Sequence, residues 1–125
     1  MRSYVIEAQD IFLPALSETL VAAGLDIVKV ASQPDMHSLL QTKPEAVFID
    51  LDFVDRDPLE TINVVRTLLP EALLCIYTNA SRAKWAQSCL SAGANAVISK
   101  ASTREAIILG LRRAAATGTF VDDHL

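Results

Sequence analysis

Apolar positions along the chain follow two alternating patterns. Short runs of β-branched and aliphatic residues alternate with longer segments whose apolar residues recur at helical spacing. The short runs predict five strands, at residues 4–8, 26–31, 46–51, 72–78 and 94–99. The longer segments predict helices at residues 10–23, 33–42, 58–69, 81–92 and 102–117. The alternation predicts an α/β fold, a doubly wound, five-stranded parallel sheet covered by helices on both faces.

Residue types at the ends of these segments support the assignment. Ser102 and Glu105 have the S-x-x-E spacing of a capping box, which predicts the start of the last helix at Ser102. Gly24 and Gly93 stand where helix C-termini favour a left-handed residue. The third and fourth strands are almost continuously apolar and are therefore predicted to be central.

Size and composition limit the classes of protein that fit. With 125 residues, of which 51% are apolar and 21% charged, the sequence predicts one globular domain over residues 1–125. The net charge of −4 is unfavourable for holding phosphate backbones, so we expect no direct contact with nucleic acid. No secretory signal or apolar run long enough to cross a membrane is present, which predicts a cytoplasmic protein with no membrane contact. Cys75 and Cys89 are predicted to be buried thiols.

Polar side chains follow four of the predicted strands. Glu7, Asp50, Thr78 and Lys100 come at the ends of the first, third, fourth and fifth strands, and Asp52 follows Asp50 by two residues. Any one of these could be an ordinary polar residue at a strand end. Together they converge on the carboxyl edge of the sheet, where open α/β sheets bind ligands. Carboxylates, a hydroxyl and an ammonium could bind a divalent cation and accept a phosphoryl group.

Four segments resemble one known family, the receiver domains of two-component response regulators. They are PEAVFIDLDFVDRDPLE, IYTNA, SAGANAVISKAS and LRRAAATGTFVDD, and the resemblance covers essentially the whole chain. It is closest to receivers that precede a LuxR-type helix-turn-helix domain. The resemblance implies the flavodoxin-like (βα)5 receiver fold and a role in phosphorelay signalling and transcription regulation rather than enzymatic catalysis.

The resemblance also implies roles for individual residues. Asp50 would be the phosphoacceptor, Thr78 the switch hydroxyl and Lys100 its charge partner. Glu7 and Asp50, with the backbone carbonyl of Asp52, would bind Mg²⁺. A histidine kinase would supply the phosphoryl group, and the face of the fourth and fifth helices would carry the output, with a homodimer as one possible result.

Several positions depart from the family pattern, and two of them, Ala8 and Val97, bear directly on the proposed chemistry and output. Ala8 stands where the family has the acid that binds magnesium directly, so we expect Mg²⁺ binding to be weak. Val97 replaces the aromatic residue that normally couples phosphorylation to the output face. If strand geometry continued past Asp50, the side chain of Asp52 would lie on the same side and could replace the lost ligand. Otherwise Asp52 is an exposed loop acid.

Three functional hypotheses remain open at this level. The first is a phosphorylated receiver, alone or with a fused or lost C-terminal DNA-binding domain. The second is a pseudo-receiver, a protein-interaction module that acts without phosphorylation. The third, a small flavodoxin-like ligand-binding domain or enzyme fragment, is disfavoured because no Gly-rich phosphate loop follows the first strand. Trp85 could either pack on the sheet or project from the output face, and the helical spacing of Cys89 and Ala92 after it favours partial burial.

Overall fold

Six parallel strands form one sheet, in the order β2-β1-β3-β4-β5-β6. The computed structural model describes residues 1–80 and 82–122. The strands are β1 (Arg2–Ile6), β2 (Asp26–Ala31), β3 (Ala46–Asp50), β4 (Leu73–Thr78), β5 (Ala96–Ser99) and β6 (Phe120–Val121). The helices are α1 (Leu13–Ala22), α2 (Met36–Thr42), α3 (Pro58–Leu68), α4 (Ala83–Ala92) and α5 (Arg104–Thr117). Two 3₁₀ turns, Asp10–Phe12 and Leu51–Phe53, precede α1 and follow β3.

The predicted doubly wound α/β fold is confirmed, but the predicted number of strands is wrong. The additional strand, β6, pairs with β5 through backbone hydrogen bonds from Phe120 to Asn95 (3.0 Å) and from Asp122 to Val97 (3.1 Å). With only two residues, β6 is too short to produce a periodic pattern in the sequence. It widens the sheet beyond β5 and brings Asp122 beside the start of α5.

Each face of the sheet has its own apolar layer. All five residues of β3 are buried, which confirms its predicted central position. Alternate residues of β3 enter opposite layers, with Val47 and Ile49 in one and Phe48 in the other. Trp85 of α4 is half-buried against the first layer, as the spacing of apolar residues in that helix indicated. The predicted first residue of that helix, Ser81, lies outside the described residues.

The predicted capping box at the start of α5 is wrong by one residue. Thr103 is the N-cap, and its hydroxyl oxygen accepts a hydrogen bond from the backbone N–H of Ala106 (3.2 Å). The hydroxyl of Ser102 instead donates to the carboxylate of Asp122. Because Asp122 is brought there by β6, local sequence spacing could not reveal this competition for Ser102.

Other local predictions are confirmed. Gly24 and Gly93 both have positive φ angles, +95° and +127°; Gly93 directly follows α4, and Gly24 follows Ala23, the C-cap of α1. Cys75 and Cys89 are buried free thiols, and burial raises their pKa values to about 12 and about 11. No helix in the described ranges has both the length and the apolar character needed to cross a bilayer.

We predict that Gly110→Ala destabilises the protein, although this exchange inside a helix ordinarily stabilises it by about 1 kcal/mol. A Cβ atom at position 110 would lie 2.5 Å from the ring atom Cε2 of Phe120, so α5 and β6 could not keep their present packing. Denaturant unfolding measures the change. In the Phe120→Ala background the same exchange should be neutral or stabilising. Equal or greater stability of Gly110→Ala alone would contradict the prediction.

Candidate functional site

The structure brings the five predicted site residues to the carboxyl edge of the sheet. Asp50 ends β3 and Thr78 ends β4, while Glu7 and Lys100 directly follow β1 and β5. Asp52 lies in the 3₁₀ turn after β3. Strand order reverses at β1, which has β2 on one side and β3 on the other. This is the position at which open α/β sheets place their ligand sites.

Lys100 is the cation of the site. Its Nζ lies 2.8 and 2.9 Å from the two carboxylate oxygens of Asp50 and 3.0 Å from Oδ2 of Asp52. It also lies 4.8 Å from the ring centroid of Phe53 and 5.5 Å from that of Tyr77. Burial alone would lower the pKa of Lys100, but hydrogen bonds to the two carboxylates and their charges outweigh it, and the pKa is raised. Lys100 therefore stays charged at neutral pH.

Asp50 is buried in the site, and its side chain is only 1% exposed. Its Oδ1 accepts the backbone N–H of Asp52 (3.1 Å), and both of its oxygens face Lys100. A carboxylate held beside an ammonium in this way can act as a nucleophile.

Asp52 reaches the site by a route that differs from the predicted one. The chain does not continue in strand geometry after Asp50 but turns into the 3₁₀ segment Leu51–Phe53. That turn directs the carboxylate of Asp52 towards β4, where Oδ1 accepts from the hydroxyl of Thr78 and Oδ2 from the backbone N–H of Asn79, both at 2.8 Å. The strand premise is therefore wrong, and Asp52 is nevertheless a member of the site rather than a solvated loop acid.

Glu7 is buried on the opposite side of Asp50 from the contacts with β4. Its Oε1 accepts the backbone N–H of Gln9 (2.9 Å). Burial, followed by a hydrogen bond with Asp50, raises the pKa of Glu7 to about 7. A substantial fraction of Glu7 is therefore protonated at neutral pH, which weakens it as a ligand for a cation.

These contacts do not fit tight binding of a divalent metal ion. Within residues 1–80 and 82–122, no group of three or more His, Cys, Asp or Glu side chains is arranged to hold one. Ala8 offers no oxygen, Glu7 favours its protonated form, and both oxygens of Asp52 accept hydrogen bonds from other groups. Hard cations such as Mg²⁺ need several free oxygen ligands. The metal roles of Glu7, Asp50 and Asp52 stay predictions.

Several participating groups were not identified from the sequence. The backbone N–H of Asn79 binds Asp52, and the rings of Phe53 and Tyr77 flank Lys100. Backbone donors leave no signal in residue identity, and aromatic residues near a strand end are equally expected in the core. Asp122 was missed because β6 was missed.

Asp122 stabilises the turn that carries Lys100. Its buried carboxylate accepts from the hydroxyl of Ser102 and, at 3.4 Å, from the backbone N–H of Ser99. The hydroxyl of Ser99 in turn accepts the N–H of Ala101 (3.0 Å). These contacts bracket Lys100 on both sides along the chain, so β6 contributes indirectly to the position of the ammonium.

Solved structures with the same fold are numerous. A LuxR-family two-component response regulator from Aurantimonas sp. SI85-9A1 superposes with a TM-score of 0.81 at 19% identity, covering 97% of this chain and 88% of its own. The isolated receiver domain of RcsB from Salmonella enterica serovar Typhimurium, with the phosphomimetic BeF3⁻, gives 0.83 at 13% identity, covering 99% and 94%. The chain has the receiver-domain fold. The sequence itself matches no protein-family model and no curated protein.

Not every protein of this fold is described as a response regulator. A protein of Burkholderia thailandensis E264 assigned to pilus assembly (CpaE) superposes with a TM-score of 0.76 at 17% identity, covering 94% of this chain and 99% of its own. At such identities the likeness establishes the fold, and the function has to be argued from the site.

We predict that Glu7→Gln stabilises the protein more at about pH 8 than at about pH 5. The folded state holds a proton on Glu7 up to a pKa of about 7, whereas the unfolded chain releases it near 4.5. The wild type therefore loses stability as the pH rises between these values. Glutamine can imitate the protonated acid, accepting from Gln9 and donating to Asp50. Denaturant unfolding with a chelator present measures both proteins, and an equal difference at the two pH values would contradict the prediction.

Proposed function

We propose that this domain is the receiver domain of a two-component response regulator and accepts a phosphoryl group on Asp50 from a histidine kinase. The observation that carries the proposal is the buried carboxylate of Asp50, with Lys100 at 2.8 Å, at the carboxyl edge of a receiver-fold sheet. On this proposal the domain is a cytoplasmic signalling module and not an enzyme that turns over a substrate.

The proposed step is a phosphoryl transfer. An oxygen of Asp50 forms a bond to phosphorus as the phosphorus–nitrogen bond of the kinase phosphohistidine breaks, and the released imidazole nitrogen takes up a proton from water. Lys100, the hydroxyl of Thr78 and the N–H of Asn79 are the local donors for the phosphoryl oxygens. Mg²⁺, when bound, would neutralise part of the developing charge.

The proposed output begins at Thr78. Its hydroxyl oxygen also accepts the backbone N–H of Ala80 (3.2 Å), in the segment that leads into α4. A change of partner at Thr78 would therefore move the start of α4. We propose the face formed by α4 and α5 as the surface that changes its contacts, with a second copy of this chain and a C-terminal DNA-binding domain as its partners.

The second candidate function is a pseudo-receiver that binds a partner without phosphorylation. Ala8 at the metal position and the existing partners of Asp52 favour it. The receiver fold in a protein assigned to pilus assembly is compatible with it as well. The two candidates differ in whether Asp50 is modified.

We predict that prolonged incubation with acetyl phosphate and Mg²⁺ adds one phosphoryl group to the wild type and none to Asp50→Asn. Intact-mass spectrometry measures the adduct, and its lability to hydroxylamine identifies an acyl phosphate. Asp55→Ala is the matched control, because Asp55 is an exposed acid of the same loop whose ion pair is with Arg56. An adduct that persists in Asp50→Asn would contradict the assignment of Asp50. A wild type that never reacts would favour the pseudo-receiver.

We also predict weak binding of Mg²⁺ that Ala8→Asp strengthens by about tenfold or more, because a third carboxylate would join Glu7 and Asp50. Magnesium titration followed by amide chemical shifts measures the affinity. The predicted metal role of Asp52 is tested in the same way, since Asp52→Ala weakens binding only if that carboxylate is a ligand. Unchanged affinity in Ala8→Asp would place the cation elsewhere.

A further inference from the structure

Three hydrogen-bond donors from two different strand ends converge on the carboxylate of Asp52. The hydroxyl of Thr78 and the backbone N–H of Asn79 lie at 2.8 Å, and the ammonium of Lys100 lies at 3.0 Å. Both oxygens of Asp52 therefore have partners. Hydrogen bonds from such donors to an ionised acceptor are among the stronger contacts in proteins.

The neighbouring loop acid shows that this arrangement is specific to Asp52. The side chain of Asp52 is 23% exposed, whereas that of Asp55 is 61% exposed and has one ion pair, at 3.8 Å, with Arg56. An acid that simply marks the end of a strand would resemble Asp55. Asp52 is instead enclosed by donors that come from the ends of β4 and β5.

The donors bound to Asp52 are the ones that an anion attached to Asp50 would need. Lys100 contacts both Asp50 and Asp52, and Thr78 ends the strand that pairs directly with β3. A phosphoryl group adds nearly two negative charges and three strong acceptor oxygens. Placed beside Asp52, it would bring two anions together around one ammonium, which is unfavourable at short distance.

We propose that the carboxylate of Asp52 is a built-in substitute for the phosphoryl group, and that phosphorylation of Asp50 has to displace it. In the unmodified chain Asp52 fills the donors of Thr78, Asn79 and Lys100. The part concerning displacement rests on the proposed function, because it requires a phosphoryl group on Asp50. The part concerning the hydrogen bonds of Asp52 to these donors does not depend on the proposed function.

A consequence for the loop before α4 follows from the contacts of Thr78. Its hydroxyl donates to Asp52 and accepts from the N–H of Ala80, while Asp52 also accepts from the N–H of Asn79. Asp52 thereby holds Asn79 directly through its backbone N–H, and holds Ala80 indirectly through the hydroxyl of Thr78. It is a positioning residue for the segment that leads into the proposed output face, and it acts without any modification of the chain.

The first test measures whether the backbone N–H of Asn79 is hydrogen-bonded to Asp52. Amide hydrogen exchange of Asn79 is measured by NMR in the wild type, Asp52→Ala, Asp52→Asn and the control Asp55→Ala. Asn79 is exposed, so its protection depends on the bond to Asp52. We expect exchange about tenfold faster in Asp52→Ala, a smaller increase in Asp52→Asn, and no change in Asp55→Ala. Unchanged exchange in a folded Asp52→Ala would overturn the inference.

The second test measures whether Asp52 has to be displaced when Asp50 is phosphorylated. The initial rate of phosphorylation by acetyl phosphate at saturating Mg²⁺ is compared for the same four proteins, each with and without Asp50→Asn. We expect about tenfold faster labelling of Asp52→Ala than of the wild type, abolished by Asp50→Asn. Equal rates would overturn the displacement, and slower labelling of Asp52→Ala would assign Asp52 to the metal and overturn it as well.

The two tests separate failure of the inference from failure of the proposed function. If no protein is labelled although Asn79 exchanges faster in Asp52→Ala, the phosphoacceptor role of Asp50 is wrong and Asp52 remains the residue that positions the loop. If labelling depends on Asp50 but neither test responds to Asp52, the receiver function stands and the inference is wrong. Asp52→Asn, which preserves side-chain size, provides the comparison if Asp52→Ala folds poorly.

Discussion

The ammonium of Lys100 is the interaction on which the arrangement of the site depends. Two carboxylates, Asp50 and Asp52, approach each other at the edge of a buried sheet, and without a cation between them their burial would be strongly unfavourable. Because Lys100 follows β5 and Asp50 ends β3, the ion pair spans the intervening strand β4. The sheet itself thus sets the distance between the charges, and the turn held by Asp122 sets the direction from which the ammonium arrives.

The fold was predictable because each strand and helix carries a long-enough pattern of its own. Apolar runs of five to seven residues and predicted helical segments of ten residues or more define the α/β alternation and its central strand. What was missed depends on distant contacts. The two residues of β6 have no periodicity, and the choice between Ser102 and Thr103 as the N-cap of α5 depends on Asp122, which is close in space only after β6 has paired with β5. A helix boundary that depends on such a tertiary contact cannot be predicted from the local sequence.

The membership of the site was more predictable than its geometry. The rule that strand ends meet at one edge of a parallel sheet correctly brought together residues from four strands. The expectation for Asp52 failed in its reasoning, because it assumed that strand geometry continued past Asp50. The chain instead forms a 3₁₀ turn after β3, and this turn directs the carboxylate of Asp52 towards β4. Its main-chain partner, the N–H of Asn79, is invisible in a list of side chains.

Two features of this site, the missing acid at Ala8 and the carboxylate of Asp52, are physically related. Ala8 removes a negative charge from the side of Asp50 that faces Glu7, where a cation would bind. Asp52 adds a negative charge on the side that faces Thr78 and Asn79, whose donors would otherwise lack an acceptor. Without the carboxylate of Asp52, the hydroxyl of Thr78 and the backbone N–H of Asn79 would lack these acceptors beside the charged Lys100. With Asp52 in place, the donors of Thr78 and Asn79 and the ammonium of Lys100 have acceptors within the chain, so they need no phosphoryl group as a partner, while two carboxylates around one ammonium keep the site negatively charged.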